Sequence, residues 1–304
     1  MAFRIINVFD GDKIRLNLNN LIVSSKEYEY SIPIHDIDVL LLNDFKTVIT
    51  IRVINKLIES NVCIITCNEN YEPVSYMLPV AGHCSILKTA TAQTKWTEQQ
   101  KAVYWKENVK FKILNQIDVL KMETDQLEVC QKMYQLIDEL ELDDKTNREG
   151  HAAKIYFHAL FGKNFKRFHD DGRNFALNYG YTILRGAIVR TICAKGLMPF
   201  LSIKHKSEGN YFALADDLIE PFRPLVDLYV KKYVDEESIY LSKQHRTNLV
   251  QLLNQKVIWN QKELFLTQAI EKSIDQLISF FDNGDFPMIY PQIYQLEFDF
   301  ENEY

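Results

Sequence analysis

The chain has 304 residues, of which 47% are hydrophobic, 25% charged and 12% aromatic. That composition can bury a core, which excludes wholesale disorder, and the length predicts two domains. No apolar run approaches the roughly 18 residues of a transmembrane helix, and the first residues lack the charged-then-apolar order of a signal peptide. We therefore expect a soluble, cytoplasmic protein without a membrane partner. Its five cysteines have no paired spacing and are expected to be reduced thiols.

The charge is distributed unevenly along the chain. The formal net charge of −6, taken alone, disfavours nucleic acid as a ligand. The stretch from His151 to Ala215, however, holds ten Lys and Arg against three Asp and Glu, whereas Val119–Glu149 holds nine acids against four bases. Such a basic middle can bind a phosphate backbone, and it is expected to line the functional site. The tail from Asp282 has six acids and no base but also several large apolar residues, so part of it is expected to dock away from that site.

The first 75 residues have the pattern of β-strands. Alternation over Lys13–Leu18 predicts a strand with one solvated face, and the preceding Asp10-Gly11 predicts a hairpin with Phe3–Phe9. Further elements are predicted as strands at Leu21–Val23, Tyr28–Ile32, Ile37–Leu42 and Val62–Thr66, and as a helix at Thr50–Glu59. Residues 1–75 are therefore predicted to form a β-rich N-terminal domain.

Beyond this region the apolar spacing becomes helical. Residues 76–95, with Pro79 and Gly82, are predicted to form a linker. Helices are predicted at Thr97–Met122, Asp125–Leu140, Asn147–Phe161, Asn174–Ala194, Tyr211–Val234, Asn248–Leu253 and Lys262–Phe281. The predicted fold class is α+β, with a small β-rich N-terminal domain followed by a larger all-α C-terminal domain over residues 96–304.

Two acidic side chains stand where a predicted helix is interrupted. Asp217 and Glu220 are three residues apart and share a helix face, which by itself is typical of a solvated surface. Their neighbours are apolar, however, and Pro221 and Pro224 follow at once. A proline inside a helix removes a backbone donor and costs roughly 3 kcal/mol, so a functional site is one reason for such an interruption.

Glu149 and His205 are weaker indications when each is taken alone. Glu149 begins a predicted helix, where an acid interacts favourably with the helix dipole without any catalytic role. His205 lies between Lys204 and Lys206, which fits phosphate contact but also an ordinary surface histidine. The sequence has neither a Gly-rich phosphate loop nor a serine nucleophile elbow, which disfavours ATP-driven chemistry and acyl transfer.

Four segments, taken in order, carry a resemblance to one family. They are Glu149–Phe157, Asn174–Tyr181, His205 and Asp217–Pro224, and they follow a β-rich N-terminal part. In this combination the chain resembles the CRISPR-associated spacer-acquisition integrases, the Cas-one family, and is most similar to the versions in type II systems. The resemblance covers nearly the whole chain, and His205–Pro224 is its most specific part.

The resemblance implies a divalent-metal-dependent DNA endonuclease and integrase. Glu149, His205 and Glu220 are implied as catalytic ligands of Mg²⁺ or Mn²⁺, and Asp217 as a catalytic residue in a supporting role. Oxygen and imidazole ligands suit these ions, whereas the absence of thiolates disfavours structural zinc. Gly150, directly after the first implied ligand, departs from the family's pattern and is a poor helix residue.

The implied reaction joins the 3′-hydroxyl of prespacer DNA to a CRISPR repeat by transesterification, which needs no nucleotide cofactor. The expected DNA-backbone contacts are Lys204, Lys206, Arg223, Arg185 and Arg190. The family also implies double-stranded DNA as substrate, a homodimer and a bridging Cas-two protein. In type II systems the effector nuclease and a ring-forming adaptation protein join this assembly.

Two other functions stay open at this point. His169 and Asp170 form a His-Asp pair of the kind found in metal phosphohydrolases that act on nucleotides, although no matching ligands stand at convincing spacing. The second of these other functions is that of a non-catalytic scaffold that binds nucleic acid.

Overall fold

The structure is a computed structural model that describes residues 4–9, 13–25, 28–69, 73–79, 86–167, 169, 171–205, 208–236, 241–284, 289–294 and 296–300. Within these ranges, no helix combines the length and the apolarity that crossing a bilayer requires. Strands dominate up to residue 77 and helices dominate after residue 86. The predicted α+β class is therefore confirmed.

Two four-stranded sheets form the N-terminal part. Their strands are β1 (Arg4–Val8), β2 (Lys13–Asn17), β3 (Asn20–Ser24), β4 (Glu29–Pro33), β5 (Ile37–Leu42), β6 (Val48–Ile49), β7 (Cys63–Cys67) and β8 (Pro73–Met77). The first sheet has the order β1-β5-β7-β8, in which only β8 is antiparallel to its neighbour. The second has the order β4-β3-β2-β6. Apolar side chains from both sheets and from helix α1 (Ile51–Glu59) share one core.

The hairpin predicted at Asp10-Gly11 is wrong. These two residues lie outside the described ranges, but the strands on either side of them, β1 and β2, belong to different sheets. β1 pairs in parallel with β5, which is apolar and almost fully buried. For β1, the apolar β5 is a more suitable neighbour than β2, which carries the exposed Lys13. The hairpin forms instead between β2 and β3, through Leu18 and Asn19.

Helices make up most of the chain after β8. They are α2 (Ile86–Gln93), α3 (Glu98–Glu123), α4 (Leu127–Asp138), α5 (Arg148–Phe161), α6 (Gly172–Ala194), α7 (Ala213–Leu218), α8 (Arg223–Tyr233), α9 (Lys243–Gln251) and α10 (Leu266–Asn283). Helix α3 begins with a capping box in which Thr97 and Gln100 exchange hydrogen bonds. Both α3 and α6 bury residues on nearly every face, so the other helices pack around these two. Helix α2 lies within the stretch predicted as a linker.

Two of the predicted helices have a different structure. The one predicted at residues 211–234 is divided into α7 and α8 by a 3₁₀ turn over Glu220–Phe222. The one predicted from Lys262 starts later, because β9 (Lys256–Trp259) and β10 (Lys262–Phe265) form an antiparallel hairpin. Asn260 and Gln261 between them have φ of 48° and 63°, which suits the tight turn of a hairpin. The C-terminal part is therefore mostly, but not purely, helical.

Close packing fixes α6 against its neighbours on two sides. Gly180 lies so near α8 that a Cβ atom there would be 2.5 Å from Cγ1 of Val226. On the side of the first sheet, the Tyr76 hydroxyl donates to the carbonyl of Thr182 at 2.9 Å. The position of α6, and of the polar side chains that it carries, is thus set by both the sheet and α8.

Part of the acidic tail docks on the helices, as predicted. Tyr290 stacks on Phe111 of α3, with ring centroids 4.4 Å apart. Phe298 and Phe300 lie against Tyr229 of α8, with centroid distances of 5.9 and 5.5 Å. These contacts bury apolar groups that would otherwise stay in water.

Candidate active site

Glu220 lies where the prolines interrupt the helical chain. Pro221 has no N–H and therefore cannot donate to the carbonyl of Asp217, four residues earlier. That carbonyl accepts a 2.7 Å hydrogen bond from Nδ2 of Asn108 on α3 instead. Two turns farther along α3, Nδ2 of Asn115 donates to the carbonyl of Pro221 at 2.7 Å. Side chains of α3 thus replace missing backbone bonds and hold the turn that carries Glu220, itself only 3% exposed.

The carboxylate of Asp217 organises the segment that carries His205. It is fully buried and accepts backbone N–H bonds from Ile203, Lys204 and His205 at 2.6, 2.9 and 3.1 Å. It also lies 2.7 Å from Nδ1 of His205, a hydrogen bond that raises the pKa of this imidazole. The bond assigns the proton of the neutral ring to Nδ1 and leaves Nε2 available as a ligand. Trp105 packs edge-on against the ring at 5.3 Å and restricts its orientation.

Glu149 is positioned by the capping of α5. Asp144 accepts hydrogen bonds from the N–H groups of Arg148 and Glu149 at 2.7 and 3.0 Å, and Asn147 accepts one from Gly150 at 3.3 Å. A Cβ atom on Gly150 would lie 2.7 Å from the Asn147 side chain. Glycine therefore fits this position because it leaves room for the cap, and α5 continues through it without interruption.

The ammonium group of Lys112 lies between the two glutamates. Its Nζ is 2.6 Å from Oε1 of Glu149 and 2.5 Å from Oε2 of Glu220. Nε of Arg223 is 3.1 Å from Oε1 of Glu220. Burial raises the pKa of Glu220 and lowers that of Lys112, but the opposite charges around each group outweigh burial. The pKa of Glu220 is lowered and that of Lys112 is raised, so both groups are charged near neutral pH.

The donor chemistry at this site suits a hard divalent cation. Oε2 of Glu220 is buried and accepts no well-aligned hydrogen bond, although the Lys112 ammonium is 2.5 Å away. Two carboxylates and the Nε2 of His205 are donors that Mg²⁺ and Mn²⁺ accept. In the part of the chain that the structure describes, however, no three His, Cys, Asp or Glu side chains are grouped closely enough to hold one ion. The cation between Glu149 and Glu220 in this structure is Lys112.

A pocket of about 860 Å³ lies over these groups. Glu149, His205 and Glu220 all line it, whereas Asp217 acts from behind through His205. The cationic side chains on its walls are Arg167, Arg185, Lys204 and Arg223. The basic stretch His151–Ala215 supplies all of these except Arg223. None of the described tail residues lines the pocket.

Three of the expected DNA contacts lie on the pocket wall, each beside an acid. Nζ of Lys204 is 2.8 Å from Asp143, and Nη2 of Arg185 is 2.6 Å from Asp216. Arg223 is paired with Glu220, as described above. Their positive charge is therefore partly balanced within the protein.

One of the other two expected contacts, Arg190, is not brought to the pocket. Arg190 faces the first sheet, where Nη2 is 2.7 Å from Asp38 and Nε donates to the carbonyl of Asn61 at 2.7 Å. This placement gives Arg190 a role in joining α6 to the sheet. Lys206 lies outside the described residues.

A buried acid supports the pocket wall from behind. Asp227 of α8 accepts a hydrogen bond from the hydroxyl of Tyr181, and burial raises its pKa to about 6. The guanidinium of Arg223 lies 4.7 Å above the Tyr181 ring, and that of Arg167 lies 5.5 Å from it. Tyr181 thus connects Asp227 to two cations of the pocket.

Sequence reasoning missed Lys112 and Arg167. A detectable pattern existed for Lys112: Asn108, Lys112 and Asn115 form a polar stripe at i, i+4 and i+7 in a helix whose neighbouring residues are largely apolar. In the structure, all three members of this stripe are buried and contact the turn around Glu220. Arg167 had no comparable pattern.

The His-Asp pair considered as an alternative site is not part of this pocket. His169 is exposed and does not line it, and Asp170 lies outside the described residues. The following Asp171 caps α6 and pairs with Arg173 at 2.6 Å. Among the described residues, His169 belongs to no group of three side chains that could hold a metal ion.

Comparison with known proteins connects this geometry to a family. A sequence profile of the family described as "CRISPR associated protein Cas1" matches residues 6–259. The "CRISPR-associated endonuclease Cas1" of Neisseria meningitidis serogroup C is 34% identical over 286 residues, which cover 93% of this chain and 92% of that protein.

Solved structures with the same fold include a "Casposase bound to integration product", with a TM-score of 0.73, 21% identity and coverage of 100% of this chain and 96% of that one. The "Cas6-RT-Cas1--Cas2 complex" matches with a TM-score of 0.72 and 19% identity, over 99% of this chain and 36% of that one. The profile match extends over most of the chain, and the Neisseria relative is similar along almost its full length. The chain therefore belongs to the Cas1 family of CRISPR-associated proteins, the family that its sequence resembles.

Proposed function

We propose that this protein is a metal-dependent DNA endonuclease and integrase of CRISPR adaptation. The observation that carries the proposal is the placement of Glu149, His205 and Glu220 around one cation-lined pocket in a chain of the Cas1 family. The name of the Neisseria relative, an endonuclease, supports nuclease chemistry. The catalytic groups all lie within residues 96–304, which we propose as the catalytic domain.

The proposed metal is Mg²⁺ or Mn²⁺, held by Glu149, Glu220 and Nε2 of His205. When bound, such an ion polarises a phosphoryl group and stabilises a leaving oxygen. Asp217 orients His205 for this role through the bond to Nδ1. Asn108 and Asn115 fix the turn that presents Glu220.

The proposed reaction exchanges one phosphodiester for another. The 3′-oxygen of the prespacer forms a bond to a phosphorus of the repeat strand, and the bond from that phosphorus to the repeat's own 3′-oxygen breaks. The attacking hydroxyl loses its proton and the released 3′-oxygen gains one, so the exchange consumes no nucleotide.

The proposed DNA contacts are Lys204, Arg185, Arg223 and Arg167, because their positive potential faces the pocket and attracts phosphates. Lys204 and Arg185 pair with Asp143 and Asp216 in this structure, so binding of DNA replaces an internal carboxylate with a phosphate.

The proposed partners are double-stranded DNA, a second copy of this chain and the Cas2 protein. The solved "Cas6-RT-Cas1--Cas2 complex" supports the last of these, because this chain shares the fold of part of one chain of that complex. In a type II system, the effector nuclease and the ring-forming adaptation protein complete the proposed assembly.

Strand transfer in vitro tests the proposed function. The purified protein, with and without its Cas2 partner, is incubated with a short duplex and a repeat-bearing plasmid in Mg²⁺, in Mn²⁺ or in EDTA. We expect joined products only with a divalent cation, and a loss on the order of 100-fold or more in Glu220→Gln and Glu149→Gln. Glu263→Gln, an exposed glutamate of the β9–β10 hairpin, is the matched control and should be fully active.

Binding of DNA separates the competing functions. Anisotropy titrations should give Glu220→Gln a DNA affinity within about threefold of wild type, because the backbone is held mainly by Lys and Arg. Full DNA binding without strand transfer by the wild-type protein would identify a scaffold instead. Nucleotide hydrolysis that is lost only in His169→Ala would identify the phosphohydrolase.

A further inference from the structure

We infer that Lys112 is a positioning residue that links Glu149 and Glu220 in the metal-free protein and is displaced when a divalent cation binds. This inference rests on the proposed function, because it concerns the same two carboxylates. Lys112 lies on α3, far from both glutamates in sequence, and by this inference it controls how tightly the site binds metal.

The location of Lys112 is set by the helix on which it lies. Asn108 lies four residues before Lys112 and Asn115 three residues after it, on the same face of α3. Each of these two side chains donates a 2.7 Å hydrogen bond to the turn around Glu220. The side chain of Lys112 is 10% exposed and does not line the pocket. It therefore reaches the glutamates from beneath, where it cannot contact a DNA strand that lies in the pocket.

Lys112 contacts both glutamates, whereas the other cation at this site contacts one. Nζ of Lys112 is 2.6 Å from Glu149 and 2.5 Å from Glu220. Arg223 pairs with Glu220 through Nε and lies on the pocket wall. Removing Arg223 would leave the two glutamates linked, whereas removing Lys112 would leave two carboxylates facing each other at a largely buried site.

A divalent cation and the ammonium compete for the same oxygens. Oxygen ligands bind Mg²⁺ at about 2.0–2.1 Å, and a second cation at hydrogen-bond distance from the same oxygens is strongly repelled. Metal binding to the wild-type protein therefore includes the cost of moving Lys112 away from both glutamates. Without Lys112, this cost disappears. The two carboxylates then repel each other in the metal-free protein, and a bound cation relieves this repulsion, so metal binding becomes more favourable.

Metal titration of position 112 tests the inference. The full-length protein is stripped with EDTA, and Mn²⁺ binding is measured by calorimetry for wild type, Lys112→Met, Lys112→Arg and Lys110→Met. Lys110 lies on the same helix and pairs only with Glu107 among the ion pairs described, so Lys110→Met is the matched control. We expect Lys112→Met to bind Mn²⁺ about tenfold more tightly, and Lys110→Met and Lys112→Arg to remain within about threefold of wild type.

Thermal unfolding in EDTA gives a second readout that involves no metal. Breaking a buried ion pair is strongly destabilising, so Lys112→Met should lower Tm by about 5–10 °C. Adding Glu220→Gln to Lys112→Met should recover part of this loss, because it removes one of the two facing carboxylates. A merely structural lysine would predict the same loss of Tm but weaker, not tighter, Mn²⁺ binding.

The outcomes separate this inference from the proposed function. If wild type binds Mn²⁺ and loses it in Glu149→Gln and Glu220→Gln, but Lys112→Met binds no more tightly, the inference alone is overturned. If neither wild type nor Lys112→Met binds Mn²⁺ and no metal-dependent strand transfer occurs, the proposed function fails and the displacement of Lys112 fails with it.

Discussion

The replacement of a missing backbone hydrogen bond by Asn108 leads to a sharp prediction. Asn108 is 4% exposed, and its side chain donates to the carbonyl of Asp217, which Pro221 leaves without a backbone partner. Asn108→Leu keeps the volume of the side chain but removes the donor. A buried carbonyl without a partner costs about 1–3 kcal/mol, and we expect the free energy of unfolding to fall by that amount.

A second substitution should repair the first. Pro221→Ala restores a backbone N–H that can donate to the same carbonyl, since Ile219 before it and Phe222 after it have right-handed helical dihedrals. Pro221→Ala alone should cost about 0.4–1 kcal/mol by loosening the unfolded chain. That effect is common to both backgrounds and cancels in a double-mutant cycle. We therefore expect a favourable coupling of about 1–2 kcal/mol between Asn108→Leu and Pro221→Ala.

Urea unfolding at fixed pH measures the four proteins of the cycle, with the slope of the transition as a check that the unfolded states are alike. Strand transfer by Asn108→Leu should also fall by about tenfold or more, because small displacements of a catalytic group are costly. A coupling below about 0.5 kcal/mol would refute the claim that Asn108 stands in for the proline's missing donor.

Three further predictions concern the helices, the tail and pH. Burial raises the pKa of Asp227 from 3.8 to about 6, so the folded state binds the proton of this carboxyl more tightly than the unfolded state does. The free energy of unfolding should therefore fall as pH rises from about 4 to 6. Unfolding curves at pH 4.5 and 7 should show that Asp227→Asn removes about 2 kcal/mol of this pH dependence. Equal pH dependence in both proteins would contradict this. Deleting Gln295–Tyr304 should lower Tm but leave DNA affinity at low salt unchanged or higher, because acids are removed from the protein; markedly weaker binding by the folded, truncated protein would place the tail in the DNA site. Gly180→Ala should cost about 1–3 kcal/mol through overlap with Val226, and Gly180→Ala/Val226→Ala should recover part of it; a neutral Gly180→Ala would show that α6 and α8 are not closely packed.

Local chemistry explains which elements could be predicted. The start of α3 at Thr97 and of α5 at Asn147 follow from side chains that cap the helix within three residues. The interruption at Glu220 follows from Pro221, because a proline cannot donate in any fold. These features depend on neighbours in sequence, so sequence is sufficient to predict them.

Long-range partners explain what could not be predicted. The polar stripe on α3 sets Lys112 apart from an ordinary helix lysine, but it does not identify the partner, because Glu149 is 37 residues away and only the fold brings it to 2.6 Å from Lys112. Arg190 belongs to a basic stretch, but its partner Asp38 lies in the N-terminal sheet and turns it away from the pocket. The β9–β10 hairpin was missed because its turn, Asn260-Gln261, contains no glycine and its second strand runs directly into a helix.

The two hydrogen bonds of Asn115 can form only at different stages of chain synthesis. Its Nδ2 donates to the carbonyl of Pro221, 106 residues later, and to the carbonyl of Pro291, 176 residues later, both at 2.7 Å. A ribosome delivers the chain from its N-terminus, so α3 and the turn at Glu220 emerge well before Pro291. Until the final segment leaves the ribosome, the buried amide of Asn115 has only one of its two acceptors. The turn that presents Glu220 is therefore fully braced only in a nearly finished chain, and a prematurely terminated product lacks that brace.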